Sequence, residues 1–340
     1  MTTESDFQEK LQKSYLLLAS NLKELNGKDQ QQLEKAMAAC NVDETIAADR
    51  DNGSFNEAKL QDNMQKLCMI LSHDATKLTL ACKPPRKPQD AIKMIDEMSN
   101  TLYRIIGFYY DIPSSGKENH QLDINTYRKA YQSLVDGLLR GVISLLVSFM
   151  DPAKAPPSMS SSPFMLSTAA LWETCKSASS LPASNRQAVF NEWKALMETL
   201  TDAKHETDEM ERSSNSDLDN GNAGDDTTAF DDDMDLDVEV DAGVAKKCAS
   251  LVGLTHLLFQ KILKRCTLSD KLMIEGQAIV EQVDVMVSKA YDLDPEDMKP
   301  VMEEYVQKIN SLIQVASTCG QENDAIWFKM CATKLSGILD

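Results

Sequence analysis

The sequence predicts an all-α protein built of antiparallel helical bundles in two parts. Three observations carry that expectation. Apolar residues recur every three or four positions over long segments, and no segment longer than a few residues has a strand period. Hydrophobic residues make up 42 % of the 340 and aromatics only 6 %, with Leu, Met and Ala prominent, which favours helices over β-sandwiches. One stretch breaks the pattern: Asp217–Asp241 reads DLDNGNAGDDTTAFDDDMDLDVEVD, with eleven acidic residues and no Lys or Arg. Its few apolar residues face no core, so burial cannot offset the entropy of ordering it. The expected division is an N-terminal bundle of five to seven helices over 1–212, a flexible acidic linker over 213–241 and a four-helix region over 242–340.

The elements follow in order. A helix over Asp6–Leu25 carries Phe7, Leu11, Leu18 and Leu22 on one stripe and stops at Asn26-Gly27, a helix-ending pair. Lys28–Cys40 predicts a short amphipathic helix and Asn41–Gly53 a loop. Ser54-Phe-Asn-Glu57 reads as a capping box for a long helix through Leu60, Met64, Leu67, Leu71, Leu78 and Cys82. Pro84-Pro85 ends it, because proline disfavours helical geometry in the preceding residue. The stripe returns as Ala91, Ile95, Met98, Leu102 and Ile105, at alternating four- and three-residue spacing. Ile124–Met150 is apolar on its flanks as well, so it should touch neighbours on several sides. Gly137 and Gly141 on it each cost up to about 1 kcal/mol against alanine, which another helix approaching closely would explain.

After a Pro/Ser loop, Ser167–Ser179 predicts a short helix that breaks at Leu181-Pro182. Ser184 then caps a long helix over Arg186–Arg212, with Val189, Trp193, Leu196 and Leu200 on its stripe. Its end feeds the acidic run, and the helix has the alternative of docking on the C-terminal helices. Beyond the run, helices are expected over Val244–Cys266, Ser269–Leu293, Pro295–Cys319 and Glu322–Leu339. Their short connections make sequential helices antiparallel neighbours.

Charge and residue types then narrow the chemistry. The formal net charge is −18, and eleven of those negative charges lie in the acidic run. A chain poor in free cations has little with which to release counterions from a phosphate backbone, so direct nucleic-acid binding is not expected. The partners expected are proteins with basic patches. The eight cysteines include no C-x-x-C pair and read as small buried thiols in a reducing compartment. The opening MTTESDFQEK has no basic start and no apolar run, so no signal peptide is expected, and Leu134–Met150 is too short for a bilayer. No metal or cofactor is expected either. His73, His120, His205 and His256 lie far apart in sequence, and a lone Asp202-x-x-His205 falls short of a di-iron set. Ser72-His73-Asp74 cannot form a catalytic relay, because consecutive helical residues point in different directions. No phosphate-binding glycine loop or G-x-S-x-G is present, so no enzyme is expected. Lys83-Pro-Pro-Arg-Lys-Pro88 reads as a solvated basic turn.

One modification signal stands out. Ser214, Ser216 and Thr228 each have Asp three residues downstream, the pattern that acid-directed kinases favour, and each phosphate would add about 1.5–2 negative charges.

A run of short motifs carries a resemblance. It begins with Asp74-Ala75-Thr76-Lys77-Leu78-Thr79, then Tyr109-Tyr110 and Pro113, and continues through Val135-Asp136-Gly137, Trp172-x-x-Cys175, Pro182 and Asp202-Ala-Lys-His-Glu206 before an acidic gap. In order and spacing the chain resembles the cyclin-D1-binding protein 1 family, also called Grap2 and cyclin-D-interacting protein. It departs from that pattern in Lys28–Gly53 and in the length and composition of the gap. The resemblance implies an all-helical, non-enzymatic regulator of the nucleus and cytoplasm. Such a regulator would bind D-type cyclins and adaptor proteins and restrain kinase phosphorylation of the retinoblastoma protein and downstream transcription. It transfers no contact residues, so the partner-binding positions stay unassigned. The rival expectation is a scaffold of the vinculin and talin class. Limited proteolysis should cut first between Ser213 and Ala242; protection there would mean that the acidic run is packed.

Overall fold

The computed structural model describes residues 3–27, 55–83, 85–113, 124–150, 163–216, 240–319 and 322–339. These form ten α-helices and one short 3-10 turn, with no strand among the described residues. In chain order they are α1 Glu4–Asn26, α2 Glu57–Cys82, α3 Pro88–Tyr110, α4 Asn125–Met150 and α5 Pro163–Ser177. Then come α6 Asn185–Ser216, α7 Ala242–Arg265, α8 Asp270–Asp292, α9 Pro295–Cys319 and α10 Glu322–Leu339. The expected Lys28–Cys40 helix, the expected Asn41–Gly53 loop, the Pro/Ser loop over 151–162 and nearly all of the acidic run lie outside the described residues.

Local chemistry sets most helix ends. Thr3 caps α1 and forms a capping box with Asp6. Asp241 caps α7 and Ser269 caps α8 through side-chain oxygens that accept from backbone N–H groups. At α2 the cap is Asn56, whose side chain accepts from the Lys59 amide at 3.0 Å, while Ser54 of the expected capping box lies outside the described residues. Glu57 is used elsewhere: its carboxylate accepts from the Asn185 amide at 3.3 Å. The Asn185 side chain in turn accepts from the Tyr127 amide at 3.0 Å and so satisfies a free donor at the start of α4.

The chain divides into two compact units, Met1–Ala188 and Val189–Asp340. Unit one is a ring of five helices. Helix α2 lies between α3 and α5, α4 lies between α1 and α5, and α3 also meets α1 and α4. The glycine expectation on α4 holds. A Cβ on Gly137 would stand 3.1 Å from Thr174 Cγ2, and one on Gly141 would stand 2.9 Å from Leu171 Cδ1, so α5 approaches the α4 backbone there. At 26 residues α4 is also long and apolar enough to cross a membrane by length and composition. Its apolar stripe of Leu138, Val142, Leu145 and Leu146 is nevertheless buried in the core of unit one.

Unit two gathers α7–α10 and most of α6. Here the sequence boundary at 212 is corrected, because the apolar stripe of α6 belongs to the second core. Trp193 is fully buried and stacks on Phe259 with ring centroids 4.6 Å apart and planes 22° apart. Its indole N–H donates to the Phe259 carbonyl at 3.3 Å. Room for the ring comes from Gly276 on α8, where a Cβ would lie 2.9 Å from Trp193 Cζ3. Tyr305 of α9 closes the centre, donating to Thr255 of α7 at 2.8 Å.

Trp193→Ala should therefore cost unit two about 3–5 kcal/mol in chemical denaturation; a cost below about 1 kcal/mol would contradict this packing. Gly141→Ala should destabilise by about 1–3 kcal/mol, because Leu171 is buried and has no room to yield. Gly253→Ala, which meets nothing within 4 Å, should instead stabilise by about 0.5–1 kcal/mol.

Candidate functional site

The segment Asp74–Thr79 holds α2 between its two neighbours. Asp74 is a buried carboxylate facing α3, where Thr101 Oγ1 donates to it at 2.7 Å. Lys77, one turn on, donates to the same carboxylate at 3.0 Å, and that bond and charge hold the lysine above its ordinary pKa. A buried carboxylate needs such partners, since desolvation otherwise favours its neutral form. On the other flank Thr76 accepts from the Trp172 indole N–H at 3.2 Å, and Thr79 shares a hydrogen bond of 2.7 Å with Thr168, both across to α5. Ala75 and Leu78 fill the core between the flanks. His73 stays exposed while Asp74 is buried against α3, so Ser72-His73-Asp74 is not assembled as a relay.

The other motif positions are structural in the same way. Asp136 accepts from Arg140 and, at 2.7 Å, from Asn26, which joins the end of α1 to α4; Arg140 holds its carboxyl below the ordinary carboxylate range. Arg128 lies 5.0 Å over the Tyr109 ring and donates to the Ile112 carbonyl at 2.6 Å, fixing the end of α3. The Pro182 carbonyl accepts from the Tyr131 hydroxyl at 3.1 Å. Asp202, Lys204, His205 and Glu206 fall in unit two, on α6. In the basic turn Arg86 is not a free cation: it pairs with Glu4 and sits 4.6 Å over the Phe7 ring.

What these clamps leave uncovered is an apolar strip on α2 and α5. Met69 and Leu80 of α2 are 64 % and 66 % exposed, and Met165 of α5 is 58 % exposed. Trp172 of α5 stands between them with 37 % of its surface open. The bonds Thr76–Trp172 and Thr79–Thr168 run antiparallel and set α5 beside this face of α2. Exposed apolar surface fixed on rigid helices is what protein-binding faces present. Sequence reading missed this strip. The signal was there, since Met69, His73, Thr76 and Leu80 share one helical face on which only apolar or weakly polar groups stand.

Reactive chemistry is not assembled elsewhere among the described residues. No group of three His, Cys, Asp or Glu is arranged for a metal ion. Burial pushes the thiols of Cys68, Cys82, Cys175 and Cys248 up to about 12, far from the thiolate that a nucleophile or ligand needs. Of the candidate phosphorylation sites, Ser214 is buried on α6 and donates to the Met210 carbonyl at 2.8 Å, so a kinase would have to open that turn. Ser216 is the last residue of α6, and Thr228 lies outside the described residues.

The profile of the family described as "Grap2 and cyclin-D-interacting, N-terminal" matches residues 63–213. Over these residues the chain is similar to that family. The match takes in most of α2, all of α3–α5, most of α6 and every member of the exposed strip. A curated relative, the cyclin-D1-binding protein 1 homolog of Danio rerio, is 25 % identical over 158 residues. That alignment covers 46 % of this chain and 43 % of the relative, so the chain spans less than half of the relative's length.

The clamp and the strip should separate in mutagenesis. Asp74→Ala should destabilise unit one by about 1–3 kcal/mol, since it strips the Thr101 hydroxyl of its cross-helix acceptor. Leu80→Asp, at a solvent-exposed position, should stay within about 0.5 kcal/mol of wild type in denaturant titration.

Proposed function

We propose that this protein binds a D-type cyclin through unit one and by that binding restrains cyclin-dependent kinase signalling and the transcription that follows it. The carrying observation is the coincidence of the family match with the exposed strip of Met69, Leu80, Met165 and Trp172. The relative's name supplies cyclin D1 as the partner class. The strip supplies a means: an apolar helix or groove of the partner can cover it, with Trp172 as the anchor. Action by occupancy requires no catalytic residue. The protein is proposed to work in the cytoplasm and nucleus, without touching nucleic acid or a membrane.

The experiment is a pull-down of D-type cyclin by the full chain and by Leu80→Asp and Trp172→Ala variants. The wild type should capture cyclin, and each variant should lose about tenfold or more in affinity, as expected for an interface anchor. Capture of actin or junction proteins with no cyclin would replace this reading with the scaffold of the vinculin and talin class. Capture of cyclin by all three proteins alike would move the binding face off the strip.

A further inference from the structure

A second surface lies in unit two, and none of the strip residues contributes to it. Helices α6 and α8 leave a groove of about 420 Å³ between them. Its apolar wall is Ala203 of α6 with Val287 and the Tyr291 ring of α8. Three carboxylates stand around that wall: Glu206 from α6, and Asp284 and Asp292 from α8. Some carboxylates on these and neighbouring helices are matched by a cation. Asp208 meets Lys204 at 2.5 Å, Glu209 meets His205 at 3.3 Å and Asp324 meets Lys261 at 3.2 Å. Among the described residues, Glu206, Asp284 and Asp292 have no such ion pair.

We propose that this groove binds an arginine side chain presented by a basic segment of a partner protein. The occupant follows from charge and shape together. Negative groups from two helices face one opening, so the complement is a cation. An aromatic ring beside carboxylates suits a planar guanidinium, which can stack on Tyr291 while its N–H fork donates to two acids. A lysine ammonium is a compact, strongly hydrated charge and would use the ring and the fork less well. A bare metal ion is a poorer complement, since no three ligating groups converge closely enough for one. One guanidinium also leaves negative charge over, so the segment should carry more than one cation. Burial, then the charges of Glu206 and Glu209, push the Tyr291 phenol above its ordinary pKa, which keeps its hydroxyl protonated beside the acids.

The test is fluorescence anisotropy of a labelled arginine-rich peptide with the full chain, against the same peptide with lysine in place of arginine. The arginine peptide should bind at least about fivefold tighter than the lysine peptide. The double variant Asp284→Asn with Asp292→Asn should weaken it by about tenfold. Tyr291→Ala should erase most of the preference for arginine. All three residues are exposed, and circular dichroism checks that the variants fold. A charge-matched control, Asp297→Asn with Glu303→Gln on the exposed face of α9, should leave binding unchanged. Equal binding of the two peptides, or an equal loss in the control, would mean attraction by net charge alone and would overturn the proposal. So would unchanged binding by the groove variants. Because the readout uses no cyclin, its failure leaves the reading of unit one standing, and the reverse also holds.

Discussion

The close approach of α4 and α5 is the contact on which unit one depends. Two helices normally keep the width of their side chains between them, about 8–10 Å from axis to axis. Gly137 and Gly141 remove that spacer on one face of α4, and Thr174 and Leu171 occupy the room. Helix α5 is thereby drawn inward far enough to reach α2 on its other side. The threonine pair and the Trp172–Thr76 bond form only at that distance. Larger residues at the two glycines would push α5 out, and the indole would lose its acceptor. The cost of two glycines inside a helix is thus offset across the bundle, on a helix that neither glycine touches.

Polar groups play a second part, which is to fix direction rather than to supply most of the stability. Apolar stripes would tolerate several rotations of α2, because Leu and Met pack in more than one way. Asp74 has one satisfied orientation, toward Thr101 of α3. Leaving a buried carboxylate without a partner is expensive enough to exclude the other rotations. Once α2 is locked, Met69 and Leu80 point outward as a consequence. The exposed apolar strip is therefore the remainder left when a polar clamp decides which face of an amphipathic helix goes in.

The helices were legible because each carries its own period. Boundaries fell within a few residues wherever a Ser, Thr or Asp cap or a proline marked them, as at Ser269 and Pro295. At α2 the cap is Asn56, two residues past the expected Ser54. The division between units was misplaced for a different reason. Nothing local to α6 says which core its stripe enters. That is decided by Phe259 and Gly276, far along the chain, which offer Trp193 a ring to stack on and a gap to lie in. The site was the least legible part. A motif that reads as one run, Asp74–Thr79, turns out to be two sets of contacts facing opposite neighbours, and pairing across helices leaves no mark in one strand of sequence.

The path of α6 has a consequence for where the chain can be cut. The family match stops at residue 213, while the folding boundary lies between Ala188 and Val189. A fragment cut where the match ends would carry Trp193 and Leu200 with no Phe259 to shelter them, and would present a greasy ridge to solvent. The stretch that matches the family profile and the unit of folding do not coincide here.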